Sequence, residues 1–154
     1  MIFPPHGKIT KTKGAVTNEK TRTGPYTATV SYERNNGAFE FEPNNTLATA
    51  TRINLNTPVM GNMLSVDDVD YYRFTVNTAI SVSVEFRHDY IDYGSQYWGV
   101  QLLQADGGKI TELRNIGNVL RTETDKFLLQ PGEYFVRVAR NAYSYVDYTV
   151  TVRT

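Results

Sequence analysis

Period-two alternation constrains this chain more than any other feature. Tyr72, Phe74 and Val76 alternate with Tyr71, Arg73 and Thr75, and Ile80, Val82, Val84 and Phe86 alternate with Ser81, Ser83 and Glu85. Trp98, Val100 and Leu102 repeat the pattern, as do Tyr134, Val136 and Val138 and then Tyr148, Val150 and Val152. Successive side chains of a strand project to opposite faces, so each segment carries one apolar face to bury. No segment shows a convincing helical period. Turn signals stand at Arg34-Asn35-Asn36-Gly37, Ala105-Asp106-Gly107-Gly108 and Gln130-Pro131-Gly132-Glu133. Short strands at this spacing predict an all-β fold, an antiparallel β-sandwich that is jelly-roll-like.

Weaker segments fill the gaps. Residues 59–64, 110–113 and 127–129 read as shorter strands, with Gly61 allowing a bulge or a close backbone approach. Residues 46–51, with small Ala48 and Ala50, read as a short helical turn capped by Asn45. Trp98, in phase with Val100 and Leu102, belongs to the core.

The chain has 154 residues, 40% of them hydrophobic, enough for one domain with a real core and a tail. Residues 1–26 carry Lys8, Lys11, Lys13, Lys20 and Arg22 against Glu19 alone, with little apolar periodicity, and read as a flexible basic tail or linker. Thr27-Ala28-Thr29-Val30-Ser31-Tyr32 alternates as a half-buried strand does, so the sandwich domain is expected over 27–154. Formal net charge is zero, which gives the whole chain no electrostatic footprint for nucleic acid. Cysteine is absent, excluding disulfides, iron–sulfur clusters and thiol chemistry. No apolar run is long enough to span a membrane. Met1-Ile2-Phe3-Pro4-Pro5-His6 lacks the apolar stretch of a signal peptide.

Two acidic stretches carry the chemistry: Glu40-Phe41-Glu42-Pro43-Asn44-Asn45 and Asp67-Asp68-Val69-Asp70-Tyr71-Tyr72. Both are rich in hard oxygen donors, and neither contains histidine or cysteine. In an extended segment Glu40, Glu42 and Asn44 share one side, and a turn can bring Asp67 and Asp70 to a common side. Together with Asn45 these six residues form an oxygen-only set that suits calcium rather than zinc. The competing reading is two independent solvated acidic loops. No EF-hand pattern is present.

Five motifs in order carry a family resemblance. They are Glu40-x-Glu42-Pro43-Asn44-Asn45, Asn56-x-Pro58-Val59-x-Gly61, Asp68-x-Asp70-Tyr71-Tyr72-x-Phe74, Leu129-x-Pro131-Gly132-x-Tyr134-x-Val136-Arg137-Val138 and a closing Tyr148-Thr149-Val150, with Ala48-Thr49-Ala50 between the first two. From about residue 40 to 152 the chain resembles the bacterial pre-peptidase C-terminal domain, related to the collagen-binding domains of bacterial collagenases. The resemblance implies a small β-sandwich, similar to jelly rolls, appended to a secreted or cell-surface enzyme such as a peptidase. It also implies Ca2+ held by Glu40, Glu42, Asn44, Asn45, Asp67 and Asp70. Two departures stand out. The family's linker motif often ends Asn-Asp where this chain has Asn44-Asn45, which removes one formal charge. Val138 stands where the collagen-binding domains suggest a tyrosine, so collagen binding is not carried over.

Catalysis has little support. Ser95, His88 and Asp92 are near in sequence, but a triad is defined by geometry, and an exposed loop at a strand end is the simpler reading. No glycine-rich phosphate loop opens a helix. The expected role is therefore a non-catalytic accessory module that aids substrate binding, secretion or stability, with a parent catalytic domain as partner. The alternative is a stand-alone matrix-binding module for collagen-like protein or polysaccharide. Its contact residues would be Tyr90, Tyr93, Tyr97, Tyr143 and Tyr145, because tyrosines supply rigid amphipathic contact area.

Overall fold

The structure is a computed structural model that describes residues 38–63, 65, 67–90, 98–114, 116–140 and 147–154. The expected tail over 1–26, the strand over 27–32 and the turn at 34–37 lie outside the described residues. So do Leu64, Tyr93, Tyr97, Tyr143 and Tyr145.

Ten strands are described: β1 (Thr51–Arg52), β2 (Val59–Gly61), β3 (Val69–Val76), β4 (Ile80–His88), β5 (Trp98–Gln104), β6 (Lys109–Leu113), β7 (Arg121–Glu123), β8 (Phe127–Leu129), β9 (Gly132–Arg140) and β10 (Tyr148–Arg153). One sheet has the order β1-β3-β9-β5-β6, and the other has β2-β10-β4-β7 with β8 also on β4. The expected antiparallel sandwich is present. Its exception is β1, which runs parallel to β3 with Thr51 opposite Tyr72. Turn chemistry matches the reading at residues 105–108, where Gly107 takes a φ of 85° and its N–H donates to Gln104 O at 3.0 Å. Glycine reaches that left-handed region without steric cost.

The alternating apolar residues meet between the sheets. Tyr72 and Phe74 of β3, Val136 and Val138 of β9 and Trp98, Val100 and Leu102 of β5 pack with Val82, Val84 and Phe86 of β4 and Tyr148, Val150 and Val152 of β10. Phe86, Trp98 and Tyr148 form the aromatic centre, with ring centroids 5.2–5.3 Å apart. The Arg140 guanidinium covers Trp98 at 4.5 Å from the ring centroid. Trp98 is therefore core, as its phase required.

Two local expectations need correction. The turn after the first acidic stretch is a 3-10 turn, Leu47–Thr49, capped by Thr46 rather than Asn45. Thr46 Oγ1 accepts from Thr49 N at 3.3 Å, while the Asn45 amide is drawn away to donate to Asp68 Oδ1 at 3.0 Å. Strand β4 also departs from simple inside–outside exposure, because Ser83 and Glu85 are buried although they face outward. Arginines cover that face. Glu85 Oε1 accepts from Arg87 and Arg153, each at 2.8 Å, and Oε2 accepts from Arg121 Nε at 2.6 Å. Cross-strand register explains the convergence: Arg87 lies opposite Arg121 on β7, and Glu85 lies opposite both Thr151 and Glu123.

Burial opposes the charge on Glu85, but the hydrogen bonds from Arg87, Arg153 and Arg121 outweigh it and hold the carboxyl down at about 2. A lowered folded-state value stabilises above the ordinary glutamate value of 4.5 and is lost as pH falls towards 2. Glu85→Gln should therefore lower stability at pH 7 by about 1–3 kcal/mol, because the amide loses the charge and turns one of the two acceptor oxygens into a donor facing arginines. Urea melts of the two proteins should converge as pH approaches 2. A pH-independent difference would show that the ion pairs contribute nothing.

Candidate metal centre

Backbone contacts bring the two acidic stretches together. Glu40 N donates to Met60 O at 3.0 Å, and Met60 N donates to Ala38 O at 2.8 Å, which lays the first stretch along β2. Tyr71 N donates to Asn44 O at 3.0 Å and joins the same stretch to β3. Thr51 Oγ1 accepts from Phe41 N at 2.9 Å, closing the third side. The first stretch is thus held between an edge strand of each sheet.

Glu40, Glu42 and Asp70 converge, each offering a carboxylate oxygen within 4.8 Å of the others. Glu40, Asn44 and Asp70 are buried, with Asn44 and Asp70 fully so. Asn44 Nδ2 donates to Glu40 Oε2 at 3.2 Å, and Asn44 N donates to Glu42 Oε2 at 3.0 Å. Asn62 N donates to Glu40 Oε1 at 2.6 Å. Asn44 Oδ1 and Asp70 Oδ1 are buried and accept no hydrogen bond. Buried polar atoms are nearly always satisfied, and these two unfilled acceptors lie in a cluster of three carboxylates that could hold a metal ion.

The strand phase leaves one residue of the expected set, Asp67, outside the cluster. Asp68, Asp70, Tyr72 and Phe74 share the inward phase of β3 and the residue before it, and all four are buried. Asp67 is out of that phase and exposed. A turn grouping Asp67 with Asp70 does not form, because the extended backbone groups Asp68 with Asp70 instead. Asn45 is exposed and bonded to Asp68, at the rim rather than in the carboxylate cluster.

Sequence reasoning missed two hydroxyls. Tyr72 OH donates to Glu40 Oε2 at 2.6 Å, Tyr148 OH bonds Asp70 Oδ2, and the two hydroxyls are 2.5 Å apart. The available signal was the inward phase of Tyr72 and Tyr148, since a buried tyrosine hydroxyl requires a partner. Tyr148 OH also reaches Glu40 Oε2 at 3.5 Å. The three shorter links have only two hydroxyl protons between them, so all three form only when a carboxyl carries a proton. Burial, then the neighbouring Glu40 charge, pushes Asp70 up to about 9; burial pushes Glu40 up to about 7. Both tyrosine hydroxyls are raised well above their usual range by burial and the adjacent carboxylates.

The remaining candidates do not assemble a second site among the described residues. His88 is buried at the end of β4, not in an exposed loop, with its ring 5.8 Å from both Phe86 and Trp98 and Nδ1 2.8 Å from Asp89 O. Ser95 and Asp92 lie outside the described residues. Tyr90, two residues beyond β4, is 64% exposed.

No protein-family model and no curated protein matches the chain. Among solved structures, the pre-peptidase C-terminal domain of a collagenase from Bacillus anthracis is 25% identical, with a TM-score of 0.52, over 67% of this chain and 93% of that one. A β-glucosidase from Paenibacillus barengoltzii aligns over 72% of this chain and 12% of its own length at 12% identity, with a TM-score of 0.39, too low to bear on function. The resemblance carried by the motifs is met in three dimensions: the chain is similar to the pre-peptidase C-terminal domain in fold as well as in sequence.

Proposed function

We propose that this chain is a non-catalytic, calcium-binding accessory module of an exported protein such as a peptidase, where it aids substrate binding, secretion or stability. The observation that carries the cation is the pair of unfilled buried acceptors, Asn44 Oδ1 and Asp70 Oδ1, within an oxygen-only cluster. Calcium accepts oxygen ligands at flexible geometry, which suits carboxylates mixed with an amide carbonyl. Glu40, Glu42, Asn44 and Asp70 would hold the ion, and Asp68 and Asn45 would brace its rim. Bound calcium neutralises carboxylates that burial otherwise leaves in conflict. Similarity to a collagenase's accessory domain supports the exported context and the catalytic partner.

Calcium at about a hundred times its dissociation constant should stabilise the chain by about 2.7 kcal/mol. Differential scanning calorimetry with calcium and then with a chelator reads this directly, and Asp70→Ala should abolish most of the shift. Identical melts in calcium and chelator would remove the proposal.

The effect should depend on pH. Glu40 and Asp70 have folded-state values, about 7 and about 9, above their ordinary 4.5 and 3.8. Their protonation stabilises the cation-free chain fully below that ordinary range, and the contribution is lost as pH rises through 7 towards 9. The calcium-induced rise in Tm should therefore be small at about pH 5 and large at about pH 8. An equal rise at both pH values would contradict it.

The exposed Tyr90 favours a second reading, a matrix-binding module whose contact includes Tyr90 and, by proposal, Tyr93, Tyr97, Tyr143 and Tyr145. If the chain binds immobilised collagen or polysaccharide, Tyr90→Ala should weaken binding by about thirtyfold without moving Tm, as truncation of a central interface tyrosine does. Unchanged binding would dismiss Tyr90 as a contact.

A further inference from the structure

At the end of the sandwich away from the carboxylate cluster, the apolar alternation fails at two inner-face positions. Cross-strand register places Phe74, Tyr134 and Gln104 in one row across β3, β9 and β5, and sets Gly132 opposite Val76 in the next. The inner face of β5 thus runs Trp98, Val100, Leu102 and then polar Gln104, while that of β9 opens on a glycine. Neither position supplies an apolar side chain, and a mouth of about 520 Å³ opens there between β8 and the β5–β6 hairpin. Small-ligand sites typically measure roughly 300–1,000 Å³. Phe127 and Leu129 of β8 and Ile110 of β6 form apolar walls, and Gln104, Gln130 and Glu133 stand exposed at the rim. Tyr134 is the platform. Its ring stacks on Phe74 with centroids 5.9 Å apart and planes 26° apart, and its hydroxyl donates to Gln130 O at 2.9 Å. A Cβ on Gly132 would stand 3.6 Å from Tyr134 Cε2, so the missing side chain leaves that part of the ring uncovered. The platform is therefore held in place before any ligand arrives, which lowers the ordering cost of binding.

We propose that this mouth is a saccharide subsite, in which one neutral hexopyranose ring stacks on Tyr134 and hydrogen-bonds to the rim. A pyranose with equatorial hydroxyls carries C–H groups on its faces and O–H groups around its edge. That pattern matches an aromatic platform inside a polar rim. The Glu133 carboxylate and the amide carbonyls of Gln104 and Gln130 accept from sugar hydroxyls, and the two amide NH2 groups donate to them. Among the described residues none hydrogen-bonds to these three side chains, so a ligand finds them unengaged. No lysine or arginine lines the mouth, and Glu133 repels acidic groups, which disfavours sulfated and uronic sugars. The subsite is separate from the cation centre. Asp70 and Val76 lie six residues apart on β3, about 20 Å at roughly 3.3 Å per residue. Tyr90 lies beyond the far end of β4, whereas Ile80 at its near end pairs with Leu129 beside the mouth. The inference therefore goes beyond both the calcium reading and a contact at Tyr90.

The test titrates the full chain with a β-1,4-linked glucose hexasaccharide by isothermal titration calorimetry, in calcium and in chelator, at a temperature where the cation-free chain stays folded. The hexasaccharide should bind equally in both, because no cation touches the mouth. Gly132→Val should weaken binding by about tenfold, the scale of a lost aromatic contact, by covering the Tyr134 ring. Tm should hold, since a Cβ there makes only ordinary contacts and valine suits a strand. Gln104→Ala and Gln130→Ala should each weaken binding by about 2- to 10-fold, the loss of one neutral hydrogen bond. If Gly132→Val fails to fold, these two exposed positions decide the matter. The inference is overturned if the unaltered chain does not bind the hexasaccharide, or if all three variants bind it as well as the unaltered chain. Loss of binding in Tyr90→Ala alone would place the sugar at the other end of the sandwich and also overturn it. So would a heparin fragment or a gelatin peptide that binds in a Gly132→Val-sensitive way while the hexasaccharide does not. Sugar binding with no calcium effect on Tm would leave this inference standing while the calcium reading falls.

Discussion

Carboxylates within 4.8 Å of one another in a protein interior cannot all remain charged without a partner. That conflict organises one end of the sandwich. Glu40 arrives on a segment that is not itself a strand, and Asp70 arrives on β3, in the opposite sheet from the β2 edge that holds Glu40. In the cation-free chain the conflict is met by protons, with Asp70 pushed up to about 9 and the tyrosine hydroxyls filling the gaps. A divalent ion, as proposed, would meet it more completely by reaching the two acceptors that no proton donor serves.

Glu85 shows the other solution available to the same fold. It is as buried as Glu40, yet three half-exposed arginines hold it at about 2. The difference lies in which face of a strand carries the acid. Glu85 is on the outer face of β4, where long guanidinium side chains fold over it while keeping contact with water. Asp70 is in the inward phase, among aromatic rings, where no arginine fits without its own desolvation cost. An acid placed outward recruits cations from its own sheet, whereas an acid placed inward needs a proton or a metal ion.

Much of the fold was legible because its signal is local. The strands at 69–76, 80–88, 98–104, 132–140 and 148–153 follow from alternation alone, and Trp98 followed from phase. β1, with two residues, and β7, Arg121-Thr122-Glu123, with three and no apolar side chain, carry no pattern to read, and the parallel register of β1 depends on where the chain enters the sheet. The convergence of Glu40, Glu42 and Asp70, with Asn44 bonded to Glu40, was legible from oxygen chemistry and spacing. Asp67 was expected to share a side with Asp70 through a turn; a turn does stand at Asp67, with Asp68 N donating to Ser65 O at 3.4 Å, but it is Asp68 that is buried in phase with Asp70. The Tyr72–Tyr148 contact spans 76 positions, and no local pattern reports such a separation.

The position of the cluster also explains why a cation there would matter to the whole domain. Three of the four proposed ligands, Glu40, Glu42 and Asn44, lie on the least self-sufficient part of the described structure. The segment around Glu40 pairs with β2 through one isolated bridge, Phe39 to Met60, and β1 has only two residues. Segments with so few backbone hydrogen bonds and little apolar burial open at low free energy. By contrast, β3, β9 and β5 pair along their lengths and share the core. An ion held jointly by Glu40, Glu42 and Asp70, as proposed, would couple the opening of the weak segment to the disruption of β3. The free energy of binding would then fall where the fold lacks its own, and opening the weak segment would cost more by that amount.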